Sequence, residues 1–176
     1  MNRPLHVLTA AGAVAHHGFE LAAGVGLVLQ PRLGMAGAAA LWGATLPGWA
    51  WLAARSPRGW DRVLSFLAGM SAAAGIVHYA MWPVRVEHGL PVLREAEGLR
   101  PCHMPAYNAV LYSWTAAAIA ALATETPRGT RGWAVPGLVV PFVLRTEIRH
   151  HFDWVREQAT TNPAWWNRAL RAPRAA

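Results

Sequence analysis

The sequence predicts an all-α protein, a polytopic integral membrane bundle of about five transmembrane helices. Five apolar segments follow one another along the 176 residues, most of them long enough to cross a bilayer. Charged residues make up only 14% of the chain, against roughly a quarter in soluble domains. The 16 basic residues are all arginine and fall mainly between the apolar segments, as in loops beside a membrane.

The first three segments each reach the length of about 20 mostly apolar residues that a spanning helix needs. Residues 5–29 contain His16, His17 and Glu20, so this helix must turn those side chains toward protein. Residues 34–54 carry no charge, and residues 63–82 have His78 as their one ionisable group.

The last two segments are less regular. Residues 105–124 form a fourth predicted helix, with Asn108, Tyr112 and Thr115 on one face. Residues 133–144 are short and contain two prolines, which is typical of a buried or re-entrant segment. This fifth helix spans the membrane only if it continues through residues 145–154. The connector at residues 83–104 is long, whereas the others are short and predict antiparallel neighbours.

The predicted organisation is one transmembrane helical domain, residues 1–158, and an interfacial or flexible tail, residues 159–176. Trp165 and Trp166 predict an interfacial anchor in the tail. The Ala, Gly, Arg and Trp bias indicates a GC-rich genome, and the expected location is the cytoplasmic membrane of a bacterium. Membrane lipids and an apolar small molecule are the expected partners. The arginines form no stripe, so no nucleic acid partner is expected.

Three predicted helices carry ionisable groups at matching depth. Counted from the helix starts at residues 5, 63 and 133, Glu20 and His78 lie 15 residues in and Glu147 lies 14 residues in. Helices one, three and five run in the same direction in an up-down bundle. At about 1.5 Å per residue these groups therefore lie at one level of the membrane. The pattern predicts that Glu20, His78, and Glu147 or His150 meet in one pocket near the long connector.

Histidine and carboxylate three or four residues apart share one helix face and can aim at the same point. This spacing occurs twice, in His16-His17-Gly18-Phe19-Glu20 and in Glu147-Ile148-Arg149-His150-His151. The predicted catalytic residues are Glu20, His78, Asn108, Tyr112 and Glu147. The predicted metal ligands are His16, His17, His150 and His151.

The favoured interpretation is a small membrane enzyme that acts on a lipid, an isoprenoid or a quinone-like substrate. The histidines and carboxylates would hold a divalent metal, Zn or Fe. In a metal-free version Glu20 would serve as a buried acid or base, and aromatic walls would stabilise cations during isomerisation or cyclisation. Oxidoreductase chemistry is a further possibility for the metal version.

Other interpretations stay open at this point. His17 and His78 form a candidate pair of haem ligands in an electron-transfer subunit. The polar centre would alternatively serve as a proton or ion relay in a transporter or an assembly subunit. Hydrogen bonds between histidine and glutamate also hold helices together without any catalytic role. The soft ligands in Cys102-His103-Met104 form too weak a pattern to predict a metal site.

Overall fold

The structure is a computed structural model that describes residues 3–55 and 59–171, and 79% of it is helical. It is all-α apart from one small hairpin. The elements in chain order are α1 (Pro4–Ala23), α2 (Gln30–Arg55), α3 (Asp61–Met81), β1 (Val84–Glu87), β2 (Leu90–Leu93), α4 (Met104–Ala120), α5 (Ala134–Val143) and α6 (Arg145–Thr161). A π-helical turn at Ala121–Glu125 extends α4, and 3₁₀ turns cover Pro101–His103, Arg128–Trp133 and Trp165–Leu170.

Helix α1 is shorter than the predicted segment of residues 5–29. Its end is set by Gly24, whose φ of 94° is the left-handed conformation that favours glycine. The carbonyl of Glu20 accepts the N–H groups of both Gly24 and Val25 there. At the start of α1, the carboxylate of Glu125 accepts the free N–H groups of Leu5 (2.9 Å) and His6 (3.0 Å).

Helix α2 begins at Gln30 and is interrupted at Gly34, which has φ 67° and ψ 175°. The predicted start of the second helix, residue 34, coincides with this break. Helix α3 agrees closely with the predicted residues 63–82. Helix α4 with its π turn covers the predicted residues 105–124.

The connector at residues 83–104 contains a β-hairpin that the sequence analysis did not predict. Strands β1 and β2 pair antiparallel, from Val84 opposite Leu93 to Glu87 opposite Leu90. The two turn residues, His88 and Gly89, both have positive φ, which is the requirement of a type I′ turn. Strand β2 of the hairpin packs against α3 and α4.

Helices α5 and α6 meet at Leu144, where φ is −78° and ψ is 0°. The short fifth segment therefore does not continue as one regular helix through residue 154. Helix α6 is polar on one face and packs against α2 and the Trp165–Leu170 turn. In that turn, Trp166 and Leu170 are buried and the N–H of Ala169 donates to the carbonyl of Gly24. Residues 172–176 of the predicted tail lie outside the described residues.

The helices pack in a curved row, in which α1 lies between α2 and α4 and α3 lies between α4 and α5. Glycines allow the tightest approach. A Cβ added to Gly69 would meet the carbonyl of Ala134, and one added to Gly137 would meet the carbonyl of Phe66. The backbones of α3 and α5 therefore touch, as in membrane bundles with small residues at helix interfaces.

Two stretches are long and apolar enough to cross a membrane, Asp61–Met81 and Pro101–Glu125. The predicted number of five spans is not confirmed. The structure shows a mostly helical all-α protein with two candidate membrane-spanning helices. Large apolar side chains also point outward from α1, α3, α4 and α5, including Leu8, Val14, Val63, Ile76, Ile119, Val135, Val139, Phe142 and Val143.

Candidate metal centre

The centre begins with two residues of α1. His16 and Glu20 are one helical turn apart, and the Nε2 atom of His16 lies 3.6 Å from Oε2 of Glu20. His16 is buried, and the side chain of Glu20 is mostly buried. A carboxylate in such a place needs partners, because burial without compensation is costly. The i, i+4 spacing supplies the first partner from the same helix.

Helix α3 supplies the second imidazole. The Nε2 atom of His78 lies 3.9 Å from Oε1 of Glu20. The Nδ1 atom of His78 lies 2.6 Å from the carbonyl oxygen of Ala74. Because a carbonyl oxygen can only accept, Nδ1–H is the donor of this hydrogen bond. In the neutral ring this hydrogen bond places the proton on Nδ1, so that Nε2 carries the lone pair. Metal-binding histidines are commonly oriented in this way.

Together, His16, Glu20 and His78 offer three ligand atoms that lie within 4.8 Å of one another. Two histidines and one carboxylate match the donor set of catalytic zinc sites and of non-haem Fe(II) sites. Both kinds of site leave coordination positions open for water or substrate. Modest side-chain movement would bring the three atoms to the ligand distances of about 2.0–2.2 Å that zinc requires.

Tyr107 of α4 completes the surroundings of Glu20, and the sequence analysis missed it. Its hydroxyl donates to Oε1 of Glu20 at 2.7 Å, and its side chain is almost fully buried. Tyr107, Leu111 and Trp114 share the face of α4 that packs on α1, whereas the predicted site residues Asn108 and Tyr112 lie on the adjacent face. Tyr107 and Trp114 lie two helical turns apart, and this spacing in the sequence indicates that they share one face of the helix.

Aromatic rings enclose the imidazoles. His16 stacks on Trp114 with ring centroids 5.0 Å apart, and it meets His78 edge-on at 4.8 Å. His17 packs on Trp42 of α2 with centroids 4.2 Å apart. These contacts restrict the rotamers of the three histidines, and they link α1 to α2, α3 and α4 at one level.

A cavity of about 710 Å³ adjoins the centre. This volume lies within the range of roughly 300–1,000 Å³ that is typical of small-molecule sites. All six helices contribute residues to its lining, and α2 and α3 contribute the most. Most of the lining is apolar, and six of the chain's ten tryptophans contribute, Trp42, Trp49, Trp51, Trp60, Trp82 and Trp114. The polar groups of the centre converge on its wall.

Two further predicted ligands line the same cavity outside the three-residue group. His17 donates its Nδ1–H to the carbonyl of Ala13 at 2.9 Å. The Nε2–H of His151 donates to the carbonyl of Val25 at 3.0 Å, so this nitrogen is not free to bind a metal ion. Burial lowers the pKa of His151 below its ordinary value of 6.5. His151 thus ties α6 to the loop that follows α1.

Glu147 and His150 lie elsewhere, contrary to the expected convergence. Glu147 accepts two hydrogen bonds from Arg32, at 2.8 and 3.2 Å. The hydrogen bond from Arg32 is the main reason that the pKa of Glu147 is below its ordinary value of 4.5. His150 is exposed. The matching depth of Glu147 required one continuous fifth helix. The chain breaks between α5 and α6 at Leu144, so the count from residue 133 does not give the position of Glu147.

Asn108 and Tyr112 attach the hairpin to α4. The Asn108 side chain accepts from the N–H of Leu93 (2.9 Å) and donates to the carbonyls of Leu93 (3.1 Å) and Met104 (2.9 Å). The Tyr112 hydroxyl donates to the carbonyl of Pro91. These contacts place both side chains in a structural network. Neither residue is among those that line the cavity in the described part of the chain.

Comparison with known proteins gives no relative: no family model, no curated protein and no solved structure matches the chain.

Proposed function

We propose that this chain is a membrane-embedded enzyme that binds one divalent metal ion at His16, Glu20 and His78 and acts on an apolar substrate in the adjoining cavity. The observation that carries the proposal is the meeting of three ligand atoms, from two helices, on the wall of a largely apolar cavity. Ionisable groups so placed within apolar helices are functional candidates by default.

The membrane part of the proposal rests on the outward surface. The second apolar stretch, Pro101–Glu125, has only 33% of its most apolar window buried inside the protein. Ile119 and Val139 project from α4 and α5 with about half of each side chain exposed, 52% and 51%. A bilayer would cover these faces, and the apolar cavity would then be open to substrates that dissolve in lipid.

Zn²⁺ and Fe²⁺ both suit two imidazoles and one carboxylate. When bound, such an ion would supply Lewis acidity for a substrate oxygen. The chain's own residues would hold and orient it: the carbonyl of Ala74 fixes the ring of His78, and the hydroxyl of Tyr107 fixes Glu20. Partners of this kind commonly change metal affinity by about 10–100-fold when they are removed.

Metal analysis of the purified protein tests the proposal. The protein is extracted in detergent, stripped with a chelator, loaded separately with Zn²⁺ or Fe²⁺ and desalted. We expect one ion per chain for one of these metals. His78→Ala should lose that ion while keeping the helical circular dichroism signal, and His150→Ala is the matched control because His150 is exposed.

The same preparations separate the other functions that the sequence suggests. A protein that binds neither metal, with His16, Glu20 and His78 intact, overturns the metal centre. A red protein with a Soret band that His78→Ala abolishes would instead establish haem binding. Proton flux in proteoliposomes that Glu20→Gln abolishes, without any bound metal, would establish the relay.

A further inference from the structure

We infer that the cavity takes an uncharged apolar molecule that carries a hydroxyl group, and that His17 accepts the hydrogen bond from this hydroxyl. The inference names the substrate class of the same site and so rests on the proposed function. Its two supports are the charge of the cavity lining and the fixed tautomer of His17.

Without a bound metal ion, the lining offers no counterion for an anionic head group. The chain has 16 arginines, yet none of those in its described part is among the lining residues. The charged groups there are the carboxylates Glu20 and Glu97, and Glu97 forms an ion pair with Arg156. A buried phosphate or carboxylate needs paired positive charge. A fatty acid or a prenyl diphosphate therefore fits this lining poorly.

Two hydrogen-bond donors of the lining are already used. The Tyr107 hydroxyl donates to Glu20, and the indole N–H of Trp42 donates to the carbonyl of Val28 at 3.0 Å. The indole N–H groups of Trp49 and Trp114 have no hydrogen-bond partner among the described residues, but both nitrogens are buried and do not reach an accessible surface. These four donors are thus closed to a ligand, and an acceptor beside them is matched by a ligand that donates a hydrogen bond.

His17 is the acceptor best placed for this role. Its Nδ1–H is committed to the carbonyl of Ala13, so Nε2 carries a lone pair. Its ring lines the cavity, packs on Trp42 and has its centroid 5.0 Å from that of His16. A hydroxyl bound at His17 would lie beside the cluster of His16, Glu20 and His78. Its oxygen would keep lone pairs for a cation held there.

The test compares three probes that share one twelve-carbon chain: dodecan-1-ol, its methyl ether and dodecanoate. Binding is followed by tryptophan fluorescence of the metal-stripped protein in lipid nanodiscs, with empty nanodiscs to correct for partitioning. We expect the alcohol to bind about three- to tenfold tighter than the ether, the value of one hydrogen bond, and dodecanoate to bind most weakly.

Variants of His17 assign the preference. In His17→Leu the ratio of alcohol to ether affinity should fall to about one, because the acceptor is gone. In His17→Gln the side-chain oxygen replaces Nε2, and the preference should return. Dodecanoate binding as tightly as the alcohol would overturn the inference. So would an alcohol preference that His17→Leu leaves unchanged.

His78→Ala separates this inference from the metal proposal, because it removes a metal ligand and leaves His17 in place. The alcohol preference should persist in that variant. A protein that binds metal but treats the alcohol and the ether alike would overturn only the substrate class. A protein that binds no metal but keeps the His17-dependent preference would overturn only the metal centre.

Discussion

At the scale of single residues, Glu20 is the group on which the centre depends. It faces the imidazoles of His16 and His78 and accepts the hydroxyl hydrogen of Tyr107. Its side chain supplies the one negative charge of the three-residue group. The two imidazoles come from different helices, so Glu20 also links α1 to α3.

Glu20→Gln should reduce metal affinity by at least about tenfold while the fold is retained. The amide has nearly the shape of the carboxylate and can still accept from Tyr107, but it is a much weaker ligand for a hard or borderline cation. Metal content after equilibrium dialysis measures the effect, and thermal unfolding checks the fold. Glu157→Gln on the exposed surface of α6 is the control. Full metal occupancy in Glu20→Gln would show that the site lies elsewhere.

Tyr107→Phe should weaken metal binding by about 10–100-fold, because it removes the hydrogen bond that orients Glu20. Tyr112→Phe is a matched control from the same helix, since its hydroxyl contacts the carbonyl of Pro91 in the hairpin. Competition with a chromogenic chelator measures both affinities. Equal losses in the two variants would indicate a general effect on α4 rather than positioning of Glu20.

The sequence predicted part of this site for physical reasons that can be identified. Glu20 and His78 lie in segments with well-defined apolar ends, so counting residues placed them at one depth. The same count of residues predicted the wrong position for Glu147, because the fifth predicted helix is interrupted at Leu144. Tyr107 was missed because tyrosine is not conspicuous in an apolar helix, and its neighbour Asn108 is. The rotation of a helix depends on packing that the sequence pattern does not specify.

At the scale of elements, α3 and α5 pack backbone to backbone, and both contribute residues to the lining of the cavity. Gly69 and Gly137 face the opposing backbone there, at the carbonyls of Ala134 and Phe66. Close backbone approach increases dispersion contacts, which drive helix association where lipid removes the hydrophobic effect. Glycine permits this close approach, but the partner helix of each glycine could be identified only from the structure.

Gly137→Ala should destabilise the protein by roughly 1–3 kcal/mol, because the added methyl group overlaps the Phe66 carbonyl and the helices must separate. Gly43→Ala in α2 is the control, since a Cβ there meets no atom within 4 Å. Thermal unfolding in detergent, followed by circular dichroism, compares the two variants. Equal stability of both would contradict the tight contact between α3 and α5.

At the scale of the whole molecule, α6 is tied to the start of the bundle by two titratable contacts. His151 contacts the carbonyl of Val25, and Glu147 pairs with Arg32. The pKa of His151 is lowered by burial, so its contribution to stability is complete above the ordinary value of 6.5 and is lost as the pH falls below it. The pKa of Glu147 is also lowered, so the contribution of its pairing to stability is lost only as the pH falls below 4.5.

Lowering the pH from 7.5 to 5.5 should therefore loosen α6 through His151 and leave the Glu147 contact intact. Hydrogen exchange of residues 145–161 at the two pH values, corrected for the intrinsic rate, measures the loosening. His151→Gln keeps a donor for the Val25 carbonyl without titrating, and its corrected exchange should be the same at both pH values. An equal pH response in the variant and the parent protein would assign the effect to another group.

The outward apolar faces make the membrane proposal testable residue by residue. Single cysteines at Ile76, Ile119 and Val139, in a Cys102→Ser background, can carry nitroxide labels on α3, α4 and α5. In liposomes these labels should be more accessible to oxygen than to a water-soluble nickel complex, because oxygen concentrates in hydrocarbon. A label at His150 should show the opposite preference, since α6 is polar and lies outside the proposed spans. Preferential access of nickel at all four positions would place the apolar stretches in water. The cavity would then open to solvent, and the metal centre would belong to a soluble helical protein.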